Sequence, residues 1–230
     1  MQITFLGHSA VYIEHQDFAA LIDPFLTGNP LAPYGPDGIP RLTHIFVTHG
    51  HGDHLGDTIA LAKKHNALVI ANAEIARFLS LEGLRTHGMH IGGRRTFDFG
   101  TVKLTPALHG SSIHTASGPV DGGNPCGFLL SIGGVHIYHA GDTGLTMDMQ
   151  LLKSEAIDVA FLPIGGNYTM DIEDAIRAVG FIEPKEVVPM HYNTFDMIKV
   201  DPREFLKGVE AQYPLVVVTM LEPGETWGNS

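Results

Sequence analysis

Four side chains able to bind a divalent metal fall within six residues. They are His49, His51, Asp53 and His54, in the run Thr48-His49-Gly50-His51-Gly52-Asp53-His54. Imidazole nitrogen and carboxylate oxygen together suit zinc and related divalent ions. Gly50 and Gly52 allow tight turns, so residues on both arms of the loop can face one point. The run follows Ile45-Phe46-Val47, so a strand delivers it to the edge of a sheet. Four more polar residues close apolar runs in the same way. His8 follows Ile3-Thr4-Phe5-Leu6, His109 follows Leu104-Thr105-Pro106-Ala107-Leu108, Asp142 follows Ile137-Tyr138-His139-Ala140-Gly141, and His191 follows Val187-Val188-Pro189-Met190. Strand ends on one rim of a layered protein converge, which lets ligands distant in sequence meet.

The elements that must position these residues can be read in order. Gln2–Leu6, Val11–Ile13 and Ala19–Ile22 alternate and turn closely, as an antiparallel meander does. Residues 26–40 are dense in Gly and Pro and predict an irregular excursion. Asp57–Lys64 and Ala73–Leu81 predict helices, with a buried strand at Ala67–Ile70 between them. Arg94–Phe99 and Thr101–Leu108 predict a hairpin turning at Gly100. Gly110–Pro125 reads as a second irregular segment. Gly127–Ile132 and Val135–Tyr138 form a hairpin about Gly133-Gly134. A short helix at Met147–Lys153, a strand at Ile157–Pro163 and a helix from Asp171 to Val179, capped by Asp171, follow. Val187-Val188 is a strand, Asp201 caps a helix with Pro202 at its first position, and Leu215–Thr219 is a last strand. The order is meander, then β-α, twice over.

T-H-x-H-x-D-H after an apolar strand resembles the signature of the metallo-β-lactamase fold superfamily. The Pro-Ala-Leu-His, Ala-Gly-Asp and Pro-Met-His runs match its later motifs in turn. The resemblance covers nearly the whole chain. It implies an α/β fold, a four-layer αββα sandwich of the metallo-β-lactamase type, with residues 1–230 as a single hydrolase domain. It also implies two metals. His49, His51 and His109 would hold one, Asp53, His54 and His191 the other, with Asp142 bridging them. Zinc is the first expectation, and a His/Asp set also accepts manganese, iron or nickel. A water shared by two cations becomes hydroxide near neutral pH, and Asp53 would aim it. A bridging Asp142 resembles the dinuclear hydrolases rather than the true β-lactamases. Gly7-His8-Ser9, Asp23-Pro24-Phe25-Leu26-Thr27-Gly28-Asn29-Pro30 and Gly165-Gly166-Asn167-Tyr168-Thr169-Met170 resemble a branch of small uncharacterised metal-dependent hydrolases, the UPF0173 type. Relatives of that branch include the ascorbate-phosphate lactonases and the N-acylphosphatidylethanolamine phospholipases D.

Other residues receive lesser roles. His8 is a candidate substrate-facing or ligand-orienting residue. His114, in the loop after His109, is a candidate proton donor to a leaving group. Asp23 is expected to orient a ligand histidine rather than bind metal. His44 and His139 are expected to support ligands, Met147, Met149 and Met170 to pack, and Cys126 to be inert.

Composition narrows the function. At 230 residues with 44% hydrophobic content, the chain can bury a sizeable core. A net charge of −11 without a Lys/Arg block weighs against dedicated nucleic-acid binding. No run is apolar and long enough for a membrane span. With a single cysteine and no secretion signal at the start, a cytoplasmic location is expected. The expected activity is hydrolysis of an ester, lactone or phosphodiester bond in a small-molecule substrate. The alternative is a non-enzymatic metal-binding scaffold or ligand sensor on the same fold. A homo-oligomer is compatible with the sequence.

Overall fold

A computed structural model of the protein describes residues 1–228. The chain begins with β1 (Gln2–Phe5), β2 (Val11–His15) and β3 (Phe18–Ile22), paired antiparallel in sequence order. After the Gly/Pro-rich excursion come β4 (His44–Val47), α1 (Gly52–Leu55), α2 (Thr58–His65), β5 (Leu68–Asn72), α3 (Ala73–Leu81) and β6 (Thr86–Met89). Next are β7 (Arg94–Phe97), β8 (Gly100–Pro106), β9 (Ser112–Thr115), β10 (Gly118–Asp121), β11 (Cys126–Ile132) and β12 (Val135–His139). A 3-10 stretch (Met147–Glu155), β13 (Val159–Pro163), α4 (Ile172–Ile182), β14 (Glu186–Met190), α5 (Pro202–Gln212), β15 (Val217–Val218) and β16 (Thr226–Trp227) complete the described chain.

These elements form two compact units. The first takes Met1–Gly93, Gly110–Pro125 and the segment from Leu221; the second takes Arg94–His109 and Cys126–Met220. The chain therefore passes from one unit to the other four times. The first unit's sheet has the order β16-β1-β2-β3-β4-β5-β6, antiparallel from β16 to β3 and parallel from β3 to β6. Its β1 pairs on one side with β2 and on the other with β16, where Ile3 faces Trp227. The second unit's sheet has the order β15-β14-β13-β12-β11-β8-β7 and repeats the pattern, an antiparallel meander followed by parallel strands. The two similar halves expected from the sequence are therefore present.

Burial explains the strand composition. Ile45, Phe46 and Val47 of β4 are all fully buried, as are Val159 to Leu162 of β13. Parallel strands covered on both faces read as continuous apolar runs rather than alternation. In the first unit, Leu61 and Ala62 of α2 and Ile75 and Leu79 of α3 join a core with Leu21, Ile45, Val47 and Val69, while Phe78 packs against it partly exposed. Asn72 caps α3 through a bond accepted from Ile75 N, and its amide donates to Gly122 O and Asn124 O. One side chain thus starts a helix and anchors a distant loop.

Several local expectations change. Gly110–Pro125 is not wholly irregular: β9 and β10 pair there as a two-stranded ribbon, with Ile113 buried and His114 exposed opposite Pro119. Its Gly and Pro content masks a short alternation. The turn after β7 falls at Asp98-Phe99, and Gly100 is already paired with Phe97. Met147–Glu155 winds as a 3-10 helix. Met149 and Met170 are buried as expected, but Met147 is exposed and does not pack in the core. β6 and the short β16 were not foreseen. Asp171 and Asp201 cap α4 and α5 as read, accepting bonds from Asp174 N and Arg203 N.

Candidate metal centre

In the first unit the motif sits where β4 ends. Gly50 approaches the 110–125 segment so closely that a Cβ would lie 2.6 Å from Ile113 Cγ1 and 2.9 Å from Ser111 O. Only glycine fits, and its N–H donates to Ser111 Oγ. The backbone then enters α1 with His51 as the residue before its first turn. His49 and His51 thus precede the helix, and Asp53 and His54 lie within it. Asp57 holds the loop of residues 26–40 in place by accepting from Leu26 N and Thr27 N.

Asp23, at the end of β3, organises the histidines. Its buried carboxylate lies 2.8 Å from His54 Nδ1 and accepts from Thr48 N (2.8 Å) and Thr48 Oγ1 (2.6 Å). An ionised carboxylate only accepts, so His54 Nδ1 carries the proton and Nε2 keeps its lone pair. The Thr48 hydroxyl has one hydrogen and gives it to Asp23. It must therefore accept from His49 Nδ1, 3.0 Å away, which leaves His49 Nε2 as a lone pair too. One carboxylate thus sets the tautomer of two histidines, the arrangement that raises imidazole basicity toward a metal. Sequence reading foresaw Asp23 in this role but missed Thr48, whose place directly before His49 was the available signal.

Nearby, His8 Nε2 lies 3.2 Å from Asp53 Oδ2, and the ligand atoms of His8, Asp53 and His54 all fall within 4.8 Å of one another. His49 Nε2 lies 3.0 Å from His51 Nδ1. His49, His54 and His8 are buried, whereas Asp53 is partly exposed.

In the second unit, three strand ends meet at one oxygen. Asp142 Oδ2, after β12, lies 3.0 Å from His191 Nε2, after β14, and 3.5 Å from His109 Nε2, after β8. Gly141 N donates to His139 Nδ1, which braces the turn into Asp142. Gly165 leaves space for the His191 carbonyl, which a Cβ would meet at 2.3 Å. His8, Asp23 and His191 all adopt left-handed backbone conformations, with φ of 57°, 47° and 54°. That geometry costs about 1–2 kcal/mol per non-glycine residue and tends to be kept at functional sites.

Two further histidines have other surroundings. His44 lies within β4, as read from the sequence, at its first residue, with its ring 5.2 Å from that of Phe18 and Nδ1 2.8 Å from Thr43 Oγ1. Burial, with the charge of Arg85, pushes it down to about 4. His114 stands exposed on β9. The donors otherwise suit a divalent ion. They are imidazole nitrogens and carboxylate oxygens without a thiolate, several are buried, and the tautomers of His49 and His54 are fixed for ligation.

Comparison with known proteins agrees with this geometry. Residues 19–192 match the family model described as a beta-lactamase superfamily domain. A metallo hydrolase from Ignicoccus hospitalis superposes with a TM-score of 0.90 at 39% identity, covering 98% of this chain and 97% of that one. Fold and donors together define a metal-dependent hydrolase of the metallo-β-lactamase superfamily, with its α/β sandwich. A UPF0173 metal-dependent hydrolase of Alkaliphilus metalliredigens is 56% identical over 91% of this chain and 93% of its own. One from Carboxydothermus hydrogenoformans is 52% identical over 98% of both. The chain belongs to the UPF0173 metal-dependent hydrolase family. No helix among the described residues is long and apolar enough to cross a membrane.

Proposed function

We propose that the protein holds two divalent ions and hydrolyses an ester, lactone or phosphodiester bond of a small-molecule substrate. His49, His51 and His109 serve one ion, Asp53, His54 and His191 the other, and Asp142 serves both. The observation that carries this reading is the approach of two imidazole nitrogens, from separate strand ends, to the single oxygen Asp142 Oδ2. A carboxylate so placed can join two metal–histidine sets. When bound, two such ions supply an acidified water as nucleophile and stabilise the developing oxyanion. The chain's own part is orientation. Asp23 and Thr48 fix His54 and His49, and His8 holds Asp53 Oδ2 where that carboxylate can accept a proton from the attacking water. Zinc suits the donor set best. Family membership favours the hydrolase over the non-enzymatic scaffold.

Elemental analysis of protein reconstituted with zinc, together with ester, lactone and phosphodiester substrates, tests the reading. About two ions per chain and turnover on one bond class are expected. A single ion, or two ions without turnover on any of the three classes, would defeat it.

A further inference from the structure

Four loops of the second unit follow β8, β12, β13 and β14, and three of them carry His109, Asp142 and His191. Their backbones are tied together. Leu108 N donates to Thr143 Oγ1, Gly144 N to Leu108 O, and Met170 N to Thr143 O. Gly165 meets the fourth loop, where a Cβ would lie 2.9 Å from Ile198 Cβ. Each loop nevertheless leaves a large apolar side chain in water: Leu108 at 65% exposure, Met147 at 67%, Tyr168 at 54% and Met197 at 61%, with Leu151 and Phe195 also exposed in the second and fourth. Single exposed apolar residues are ordinary, whereas a grouped set marks a binding surface. Across these loops the Lys/Arg residues are Lys153 and Lys199, and their ammonium groups lie 2.6 Å from the carboxylates of Glu183 and Asp196. The rim therefore offers apolar area and little to attract a phosphate.

We infer that Leu108, Met147, Tyr168 and Met197 bind the apolar acyl or alkyl portion of an uncharged carboxylic ester or lactone. This selects among the bond classes of the proposed function and rests on that reading. Leu108 neighbours His109 in the chain, and Met197 lies in the loop that His191 begins. The apolar rim is thus built into the segments that present the donors. A phosphodiester, anionic at neutral pH, meets no unpaired cation there.

The test uses the zinc-loaded full chain and p-nitrophenyl acetate, butyrate and octanoate, with bis(p-nitrophenyl) phosphate as the anionic competitor. kcat/KM is expected to rise about 50-fold from acetate to octanoate. Each covered methylene contributes about fourfold, and about half of the six added ones would be covered. Leu108→Ser with Met197→Ser should flatten that rise to under about fivefold. Leu215→Ser, at another exposed apolar position, should leave it intact. Calorimetry with 2-decanone against 2-butanone, which cannot be hydrolysed, reads the rim without turnover. The longer ketone should bind at least about tenfold more tightly, and the double variant should lose that difference. A flat ester series, or faster turnover of the phosphodiester, would overturn the inference while leaving the hydrolytic reading standing. Chain-length-dependent ketone binding without turnover of any ester would support the rim and defeat ester cleavage.

Discussion

The two units build their donors in opposite ways. In the first, four donors lie in six consecutive residues, two before α1 and two within it. Asp23 and Thr48 then fix the rings from behind. In the second, His109, Asp142 and His191 come from three separate strand ends, and Asp142 Oδ2 is their common neighbour. The first set depends on local chain geometry braced by a buried carboxylate. The second depends on the sheet keeping three strands in register. A local set should tolerate the loss of one donor in metal content but not in chemistry. A set assembled around one oxygen should fail as a whole when that oxygen is removed.

The largest expected effect falls in the first unit. Asp53→Asn keeps size and one acceptor oxygen but removes the charge proposed to orient the nucleophile. Turnover should fall about 10²–10⁴-fold, the range for a positioned acid–base group, with metal content retained when metal is in excess. A variant with both ions and full rate would break the proposed role.

Asp142→Ala tests the second unit. It takes the shared oxygen from two histidines, so elemental analysis should find at least one ion lost. Retention of two ions would show that His109 and His191 do not depend on the shared carboxylate, and the contrast between the units would collapse.

Asp23→Ala probes the bracing in the first unit. It frees Thr48 and the Nδ1 side of His54, and metal affinity should weaken about 10–100-fold. Loss of a buried carboxylate with three bonds should also lower stability by about 2–4 kcal/mol, read as a lower Tm in the metal-free protein. An unchanged affinity would mean that the rings are held by packing alone.

The smallest effect concerns His44, remote from the donors. Its folded-state value is about 4, below the ordinary 6.5. The unfolded chain takes up a proton first as pH falls. The contribution of neutral His44 is therefore present above about pH 6.5 and lost on acidification towards pH 4. In metal-free protein, His44→Gln should reduce the drop in urea midpoint between pH 7 and pH 4.5. An equal drop in both proteins would assign the acid sensitivity elsewhere.

The same contrast explains what could be read from the chain. The first unit's donors are contiguous, so their spacing shows them without a structure. Asp23 was legible because Asp-Pro closes an apolar strand. Thr48 was not, because its part depends on where its single hydroxyl hydrogen goes. The repeated meander and β-α order showed in the periodicity, since strands buried on both faces leave continuous apolar runs. The ribbon of β9 and β10 did not, because four-residue strands rich in Gly, Ser and Pro carry little pattern. The exposure of Met147 was also hidden, because apolar character in a sequence does not tell core from rim. His44 sits beside the motif in sequence, but the strand carries it to the other end.

The pairing of β1 with β16 also bears on how the protein is made. Thr4 and Thr226 share a hydrogen bond across 222 residues of sequence. At a synthesis rate of about 5–20 residues per second, the outer edge of β1 waits about 10–45 s for its partner to leave the ribosome. An unpaired strand edge is a template for joining the wrong chain. During synthesis the nascent protein therefore carries a bare β1 edge that β16 covers in the finished molecule, and the interval before it is covered is when a chaperone would be of most use to it.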